Sequence, residues 1–322
     1  MKAVIFEQLG RPEDVLTVHD VPAPTPGEGE LLVKVAARPI HPADFLFISG
    51  QYVVKPIFPQ VAGFDGVGEI ILCGPGVDEL EPGRRVAFRS PGSWAELAVV
   101  HASRVYLVPS GVSDALACQF PLNPLTAWGL LAECELPPGS RALITAGRSV
   151  IAGILSELAR RRGWDASLLV RDDTGYSVYQ ADGDRLVSAG ATVADVLRAA
   201  TSNRRFHVVL DAVGGPDTLA LMEALEPRGR LVSYGVLDDS LITLRASMLL
   251  FRNLIWQGFL IDSWLDHASP DELAGMQCEL WRFLLEAPHL LPVIGAYPLA
   301  DIQEAIRIVR ETSQPGKVLL IS

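Results

Sequence analysis

The chain has 322 residues, of which 49% are hydrophobic and 20% charged, and its formal net charge is −11 at pH 7. This composition supplies a large core and excludes a disordered or low-complexity protein. Nucleic acids and anionic membranes bind clustered positive charge, so the acidic balance argues against both as main partners. At this length two domains are expected.

Cysteine usage and hydropathy favour a reduced, cytoplasmic location. The cysteines lie far apart without a Cys-x-x-Cys pair, at Cys73, Cys118, Cys134 and Cys278. This spacing predicts neither a disulfide framework nor a zinc knuckle. The N-terminal residues MKAVIFEQLG read as a strand rather than a secretory signal. Polar residues and prolines interrupt the apolar stretches 116–131 and 246–262, so no membrane span is expected.

Residues 1–110 contain short alternating runs such as ELLVKVAARPI and GVGEIILCG, separated by Gly and Pro turns. This pattern predicts a mostly antiparallel β domain. Within it, IHPADFLFISGQY predicts a short helix with Pro42 in its first turn and Gly50 ending it in the left-handed conformation. Tyr52 then lies on an irregular segment just beyond a fixed helix end. From the residues alone, this tyrosine could pack in a core or line a cleft.

From about residue 120 the pattern changes to alternating helices and strands. Asn123 is placed to cap a helix that has Pro124 at its first position. The strand RALITAG, a helix near 149–162 and the strand ASLLVR follow. Next come more helix, the strand FHVVLDAVGG, a helix through LALMEAL and the strand GRLVSYGVL. This order predicts a doubly wound parallel sheet of the Rossmann type. The tail 265–322 predicts helices near 270–286 and 299–311 and a closing strand KVLLIS, which pack on the first domain.

The first strand-to-helix turn of the second domain, LITAGRSVIAGILSELA, is a candidate dinucleotide site. Such a turn needs small residues at its corner and a helix N-terminus that faces the pyrophosphate. The small residues here are Ala146, Gly147, Ser149 and Ala152 or Gly153. A strict G-x-G-x-x-G is absent, and small residues also occur where a helix simply packs on a strand. The turn could therefore bind a dinucleotide or serve helix–strand packing alone.

The end of the next strand favours NADPH over NADH. An NAD site would place Asp or Glu there, whereas an arginine suits a 2′-phosphate through its fork of donors. The residue at this end is Arg171. Asp172 and Asp173 follow it, and either could reach the ribose or pair with the arginine.

The chain resembles zinc-independent members of the medium-chain dehydrogenase/reductase superfamily nearly end to end. The resemblance is strongest to the enoyl thioester (2-enoyl-CoA/ACP) reductases, followed by the quinone oxidoreductases. It rests on IHPADFLFISGQY with FPQVAGFDGVGEI, on NPLTAWGLL, on AGRSVIA with LLVR, and on RNLIWQGFLIDSW. Asn-Pro-x-Thr-Ala and the Gly-Phe-x-x-x-x-Trp of residues 258–264 are the more specific to the enoyl reductases.

The resemblance implies an α/β protein with a GroES-like, mostly β catalytic domain (1–117 and 264–322) and a Rossmann NADPH-binding domain (118–263), with the active site in the cleft. Zinc-dependent relatives have Cys where His41 stands and Gly-His-Glu at 63–65. Phe64 cannot ligate a metal, so no metal is expected. His41 is then a helix-start or cleft-lining residue of the substrate pocket.

Three departures from the enoyl reductase pattern stand out. Those enzymes usually have Asn in place of His41 and a glycine in place of Ala152. The segment 172–205 also lacks their Lys-rich stretch after the second strand. The resemblance therefore implies no adenine contact beyond Arg171.

The resemblance also implies roles for individual residues. Tyr52 would be the proton donor of the cleft, since a phenol of ordinary pKa near 10 stays protonated at neutral pH. Thr126 would contact the nicotinamide, and Asn123 would hold that turn. Phe64 and Trp264 would wall an acyl pocket, although core packing explains them as well. The expected cofactor contacts are Thr126, Gly147, Arg148, Ser149, Val150, Ile151, Arg171, Tyr234, Gly235, Phe259, Ile261 and Lys317.

The predicted function is NADPH-dependent reduction of the C=C bond of a 2-enoyl thioester. The alternatives are an NADPH:quinone oxidoreductase and, from another class, an NADPH-binding protein of low turnover with a structural or redox-responsive role. The expected partners are a small-molecule or acyl-thioester substrate and a second copy of the chain in a homodimer. The sequence does not distinguish CoA from carrier protein, or one acyl length from another.

Overall fold

The computed structural model describes residues 1–181 and 183–322, without the side chains of residues 185, 188 and 189. The chain forms two compact units, Met1–Pro124 with Gln277–Ser322 and Leu125–Met276. The predicted domains were 1–117 with 264–322 and 118–263. Both predicted boundaries therefore lie several residues before the observed ones, which follow Pro124 and Met276. The observed boundaries lie inside two helices, whereas the prediction placed them near changes of sequence pattern.

Strands are numbered in chain order. They are β1 (Lys2–Phe6), β2 (Thr17–Asp20), β3 (Glu30–Pro39), β4 (Gln60–Val61), β5 (Asp65–Cys73), β6 (Arg85–Arg89), β7 (Leu97–His101), β8 (Val105–Leu107), β9 (Arg141–Ile144), β10 (Asp165–Asp172), β11 (Gly175–Gln180), β12 (Arg185–Gly190), β13 (Phe206–Asp211), β14 (Leu225–Ser233), β15 (Ile255–Gly258), β16 (Val293–Pro298) and β17 (Lys317–Ile321).

Helices are numbered in the same way. They are α1 (Pro12–Val15), α2 (Pro42–Ile48), α3 (Asp114–Ala117), α4 (Asn123–Cys134), α5 (Val150–Arg161), α6 (Val193–Ala200), α7 (Thr218–Ala224), α8 (Ala246–Arg252), α9 (Ile261–His267), α10 (Pro270–Glu286) and α11 (Ile302–Glu311). Among the described residues, no helix has both the length and the hydropathy needed to cross a bilayer.

The first unit is built on two sheets. One has the order β2-β1-β4, and the other has the order β16-β17-β3-β5-β6-β8, with β7 also paired to β3. All of these pairs are antiparallel except β16–β17. The predicted β domain is therefore confirmed, and both ends of the chain contribute strands to it.

Arg38 is a fully buried charge of the first unit. Its side chain is 0% exposed and donates to the carbonyls of Val35, Ser93 and Ala95. It also donates to the Ser322 hydroxyl at 2.8 Å, and burial lowers its pKa to about 10. A single cation thus joins β3 to the last residue of the chain.

The second unit contains a sheet of order β12-β11-β10-β9-β13-β14-β15. From β10 through β15 the neighbouring strands are parallel, as the alternating helices and strands predict. All four residues of β9 are buried, which is typical of a strand covered on both faces. The predicted α/β class with a parallel sheet is confirmed.

The part of the sheet beyond β10 differs from the prediction. A helix was expected directly after ASLLVR, but β10 turns back into β11, and β12 follows, both antiparallel. Asp172, at the end of β10, accepts a hydrogen bond of 2.8 Å from the Thr174 backbone N–H, and Gly175 has a φ of +114°. A tight turn therefore reverses the chain where a helix would begin, and helix comes only at α6.

Candidate functional site

The dinucleotide turn lies at the carboxyl end of β9, between β9 and α5. β10 and β13 pair with opposite edges of β9, so the strand order reverses at this point, where open α/β sheets bind ligands. A Cβ on Gly147 would lie 2.9 Å from both the Leu168 Cβ and the Leu169 carbonyl oxygen. The turn therefore needs glycine for helix–strand packing, which was one of the two open readings.

The start of α5 has the features of an anion site. The Ser149 side chain caps the helix by accepting from the Ala152 N–H at 3.2 Å. The first N–H groups of a helix, which include those of Val150 and Ile151, have no partner inside it and carry partial positive charge. Arg148 is exposed just before the cap. This arrangement can hold a pyrophosphate.

Arg171 is exposed on β10, directly across the hairpin from Tyr176. Its guanidinium lies 5.8 Å from the centre of the Tyr176 ring. The Tyr176 hydroxyl in turn donates to Asp217 over 3.4 Å. Asp172 and Asp173 follow Arg171 and were the two acids that could bind a ribose. Asp172 already accepts a hydrogen bond from the Thr174 N–H within the hairpin turn.

The second unit also contains predicted site residues of two other kinds: residues with a buried hydroxyl and aromatic residues. Neither the buried Thr126 Oγ1 nor the Tyr234 hydroxyl has a hydrogen-bond partner among the described residues. Burial and the nearby Asp211 raise the pKa of Tyr234. Phe259 and Trp264 both pack beside Gly129 of α4, which favours the packing explanation for Trp264.

Three more predicted cofactor contacts of this unit, Phe259, Gly235 and Ile261, have defined surroundings. The Phe259 N–H donates to the Ser233 carbonyl at 2.8 Å, so it continues the pairing of β14 with β15. Gly235 lies close to Ala212, whose carbonyl oxygen would be 2.7 Å from an added Cβ. Ile261 begins α9 and is buried.

Tyr52 lies where the sequence predicts it, two residues past Gly50, which has a φ of +75°. Its backbone N–H donates to the Leu46 carbonyl of α2 at 3.1 Å. Its ring lies 5.3 Å from that of Phe64. The tyrosine is therefore fixed at the end of α2, half-buried against the core.

The Tyr52 hydroxyl belongs to a network of charged groups. Arg89 donates to it through Nη2 at 3.0 Å and to Asp65 Oδ1 through Nη1 at 2.8 Å. Asp65 and Arg89 face each other across β5 and β6, so strand register builds this ion pair. On the other side of the carboxylate, His41 Nε2 lies 3.2 Å from Asp65 Oδ2. The guanidinium also lies 5.0 Å from the centre of the Phe64 ring.

Burial shifts the pKa values of this network. It lowers the pKa of His41 to about 4, so the imidazole is neutral at physiological pH. Burial and the neighbouring Asp65 raise the pKa of Asp44 to about 7. Although burial opposes it, Arg89 and His41 hold the pKa of Asp65 below its usual range. Burial lowers the pKa of Lys317 to about 8, against the attraction of Asp44 and Asp65.

The predicted site residues thus divide between the two units. His41, Tyr52 and Phe64 contact the Asp65–Arg89 pair of the first unit. Lys317 belongs to the same unit, and the charges of Asp44 and Asp65 act on its pKa. Phe64 is only 3% exposed and belongs to the core, which favours packing over a pocket wall. Asn123, also buried, is the first residue of α4, so the helix begins one residue earlier than predicted.

Sequence reasoning missed Arg89, Asp44 and the pair Thr145–Asp211. Asp65 begins β5 and Arg89 ends β6, and each strand carries one further charge, Glu69 or Arg85, so the strand pattern did not single out the buried pair. Asp44 stands three residues after His41 and accepts from its backbone N–H at 2.7 Å. This arrangement fits the acidic residue preferred in the first turn of a helix.

No metal is expected here, and that prediction still rests on Phe64, which has no ligating atom. Among the described residues, no group of three or more His, Cys, Asp or Glu side chains is placed to hold a metal ion.

Two family models match parts of the chain. One, described as an alcohol dehydrogenase GroES-like domain, matches residues 27–110. The other, described as a zinc-binding dehydrogenase, matches residues 184–320.

Proteins from other organisms match this chain over nearly its full length. The mitochondrial enoyl-[acyl-carrier-protein] reductase of Rattus norvegicus is 28% identical over 95% of this chain and 84% of its own. The crystal structure of a candidate NADPH:quinone reductase from Bacillus thuringiensis superimposes with a TM-score of 0.88 at 27% identity, covering 100% and 98% of the two chains. A mycobacterial protein solved with NADPH gives a TM-score of 0.87 at 26% identity and covers 100% of both chains.

The fold, the turn before α5 and these matches define the class of protein. The chain is an oxidoreductase, and its fold and its two family-model matches are similar to those of the medium-chain dehydrogenase/reductase superfamily. Within that superfamily it is similar to the enoyl thioester reductases and to the quinone oxidoreductases.

Proposed function

We propose that the protein is an NADPH-dependent reductase that adds hydride to the C=C bond of a 2-enoyl thioester, either enoyl-CoA or enoyl-ACP. The observation that carries this proposal is the Tyr52 hydroxyl, held at 3.0 Å from the Arg89 guanidinium at the end of α2. A phenol beside a fixed cation suits a proton donor, because the cation stabilises the phenolate that remains. The name of the rat relative supports the thioester as substrate.

NADPH fits the residues of the second unit. The capped start of α5 would bind its pyrophosphate, and exposed Arg171 would bind the 2′-phosphate. Thr126 would contribute a hydroxyl that has no hydrogen-bond partner among the described residues. The mycobacterial neighbour solved with NADPH supports the same cofactor.

The reaction divides between hydride addition and protonation. When bound, NADPH supplies a hydride, which adds at Cβ of the enoyl group and leaves an enolate. Tyr52 then gives its proton to Cα: the enolate electron pair forms the C–H bond, and the O–H pair stays on Tyr52. Water returns a proton to the phenolate.

A second candidate, NADPH:quinone oxidoreductase, is favoured by the name of the Bacillus thuringiensis neighbour. A reduced quinone carries its new charge on oxygen and can take protons from water, so it needs a protein acid less than a carbanion does. The two candidates therefore differ in their dependence on Tyr52.

One comparison tests the function most simply. NADPH oxidation is measured side by side with crotonyl-CoA, a longer 2-enoyl-CoA and a small quinone. We expect turnover with the thioesters. Turnover with the quinone alone would support the second candidate, and NADPH binding without turnover on any substrate would support a binding protein.

The assembly we propose is a homodimer. β15 is an edge strand of its sheet, and an edge offers unpaired backbone groups to another strand. Large apolar side chains are exposed on β15 and on the preceding α8, where Leu250 and Phe251 are 74% and 81% exposed. We also propose a cytoplasmic location, because the four cysteines are free thiols.

A further inference from the structure

A buried polar chain leads from His41 to Tyr52 within the first unit. His41 Nε2 approaches Asp65, Asp65 accepts from Arg89, and Arg89 donates to Tyr52, over 3.2, 2.8 and 3.0 Å. His41 and Asp65 are each 1% exposed and Arg89 is 6% exposed. Because water is largely excluded, a group removed from this chain is not readily replaced by solvent.

The direction of the last hydrogen bond is fixed by chemistry. A guanidinium has donors but no acceptor, so the Tyr52 oxygen must accept in this bond. The hydroxyl proton is consequently not used toward Arg89. The same guanidinium would also stabilise negative charge left on the oxygen when that proton departs.

The guanidinium itself has little freedom. Asp65 lies directly opposite Arg89 across β5 and β6 and binds Nη1, while the Phe64 ring lies under the guanidinium carbon at 5.0 Å. Nη2 is therefore directed at Tyr52 by contacts on the other nitrogen and on one face of the plane.

We propose that Arg89 is a positioning residue that orients the Tyr52 hydroxyl and stabilises its conjugate base, and that Asp65 holds Arg89 for this purpose. The proposal rests on the function proposed above, in which Tyr52 is the proton donor. The buried Arg89–Asp65 ion pair then contributes to the rate of protonation as well as to the fold.

A double-mutant cycle tests the proposal. Arg89→Met should lower kcat for a 2-enoyl-CoA by about 10- to 100-fold, the worth of one charge-assisted hydrogen bond, with KM nearly unchanged. In a Tyr52→Phe background the same change should lower kcat no further, because Arg89 acts through the hydroxyl. Arg89→Lys, which keeps a cation against Asp65, should recover part of the rate. Arg85→Met on the same strand is the matched control and should leave the rate unchanged.

The outcomes separate the two proposals. Equal losses from Arg89→Met with and without the Tyr52 hydroxyl would mean a structural role, which overturns the inference and leaves Tyr52 as the acid. No loss in Tyr52→Phe alone would overturn the role of Tyr52 and the inference with it.

A second measurement needs no substrate. It also tests the proposal if Arg89→Met folds poorly, because it can be made on the variants that do fold. In protein labelled with ¹³C-tyrosine, the Tyr52 resonance is identified by its loss in Tyr52→Phe. We expect the hydroxyl to ionise at higher pH in Arg89→Met than in the wild type, with Arg89→Lys in between. Ionisation at the same pH in the wild type and the foldable variants would contradict the proposal.

Discussion

Thr145 and Asp211 join the central strands of the second unit where the carboxyl ends of β9 and β13 meet. The Thr145 hydroxyl donates to Asp211 Oδ1 at 2.8 Å and accepts from the Ala212 N–H at 2.9 Å. The Asp211 carboxylate also accepts from the Val213 and Gly214 N–H groups at 3.0 and 3.1 Å. Both side chains are buried, so this pair fixes the loops around the proposed dinucleotide site.

Thr145→Val should lower the free energy of unfolding by about 1–3 kcal/mol, because a buried carboxylate loses a donor and the Ala212 N–H loses its acceptor. Urea unfolding at unchanged m-value measures the loss. Thr174→Val, on the exposed hairpin turn, is the control and should stay within about 0.5 kcal/mol of the wild type. A loss no larger than that of the control would contradict the structural role of the pair.

Arg171→Ala tests the choice of cofactor. If Arg171 binds the 2′-phosphate, the variant should bind NADPH more weakly by about 1.5–3 kcal/mol and bind NADH almost as before. Isothermal titration with each cofactor gives the two affinities. Arg198→Ala, an exposed arginine of α6, should alter neither affinity. An equal loss for both cofactors in Arg171→Ala would remove Arg171 from the phosphate site.

His41 predicts a pH dependence of stability. Its folded pKa of about 4 lies below the unfolded value near 6.5, so the unfolded chain binds the proton more readily. The stability contributed by the neutral imidazole is fully present above about pH 6.5 and is lost as the pH falls through about 4. Relative to His41→Asn, the wild type should lose up to about 3 kcal/mol across this range.

Urea unfolding of the wild type and His41→Asn at several pH values measures this difference. Asp44 titrates in the same range with the opposite sign, since its folded pKa is raised to about 7. Its contribution is shared by both proteins and largely cancels. His19→Asn, an exposed histidine of β2, should show no such trend. A difference that does not change with pH would contradict the buried, neutral His41.

Two substitutions test the proposed dimer. Phe251→Glu on α8 and Ile255→Lys on β15 place charge on large exposed apolar positions and should convert a dimer into a monomer of unchanged secondary structure. Light scattering after size exclusion gives the mass. Leu107→Lys, on the edge strand β8 of the first unit, is the matched control. A monomeric wild type, or a dimer that survives both changes, would contradict this surface.

Much of the fold was predictable because its signals are local. Gly50 ends α2, Ser149 caps α5, and the helix predicted near 270–286 is observed at Pro270–Glu286. The hairpin after β10 was missed although its signal was local too. Asp-Asp-Thr-Gly between alternating runs is a turn signature, and the expectation of further helix outweighed it.

The network around Tyr52 was less accessible from the sequence. Arg89 and Tyr52 are 37 residues apart, and the register of β5 with β6 places Asp65 opposite Arg89, whose guanidinium then reaches the tyrosine. Motif spacing cannot supply that register, because it depends on the whole sheet. The sequence therefore identifies Tyr52 as a candidate, whereas its partner requires the fold.

The most direct test of the account is the rate of Tyr52→Phe on two substrates. The substitution keeps the ring and its packing against Phe64 and removes only the hydroxyl. With a 2-enoyl-CoA, kcat should fall by about 10²–10⁴, the range for a positioned general acid, while NADPH affinity stays nearly intact. With a small quinone the loss should be much smaller. Unchanged turnover on every accepted substrate would contradict the account and reduce Tyr52 to a packing residue.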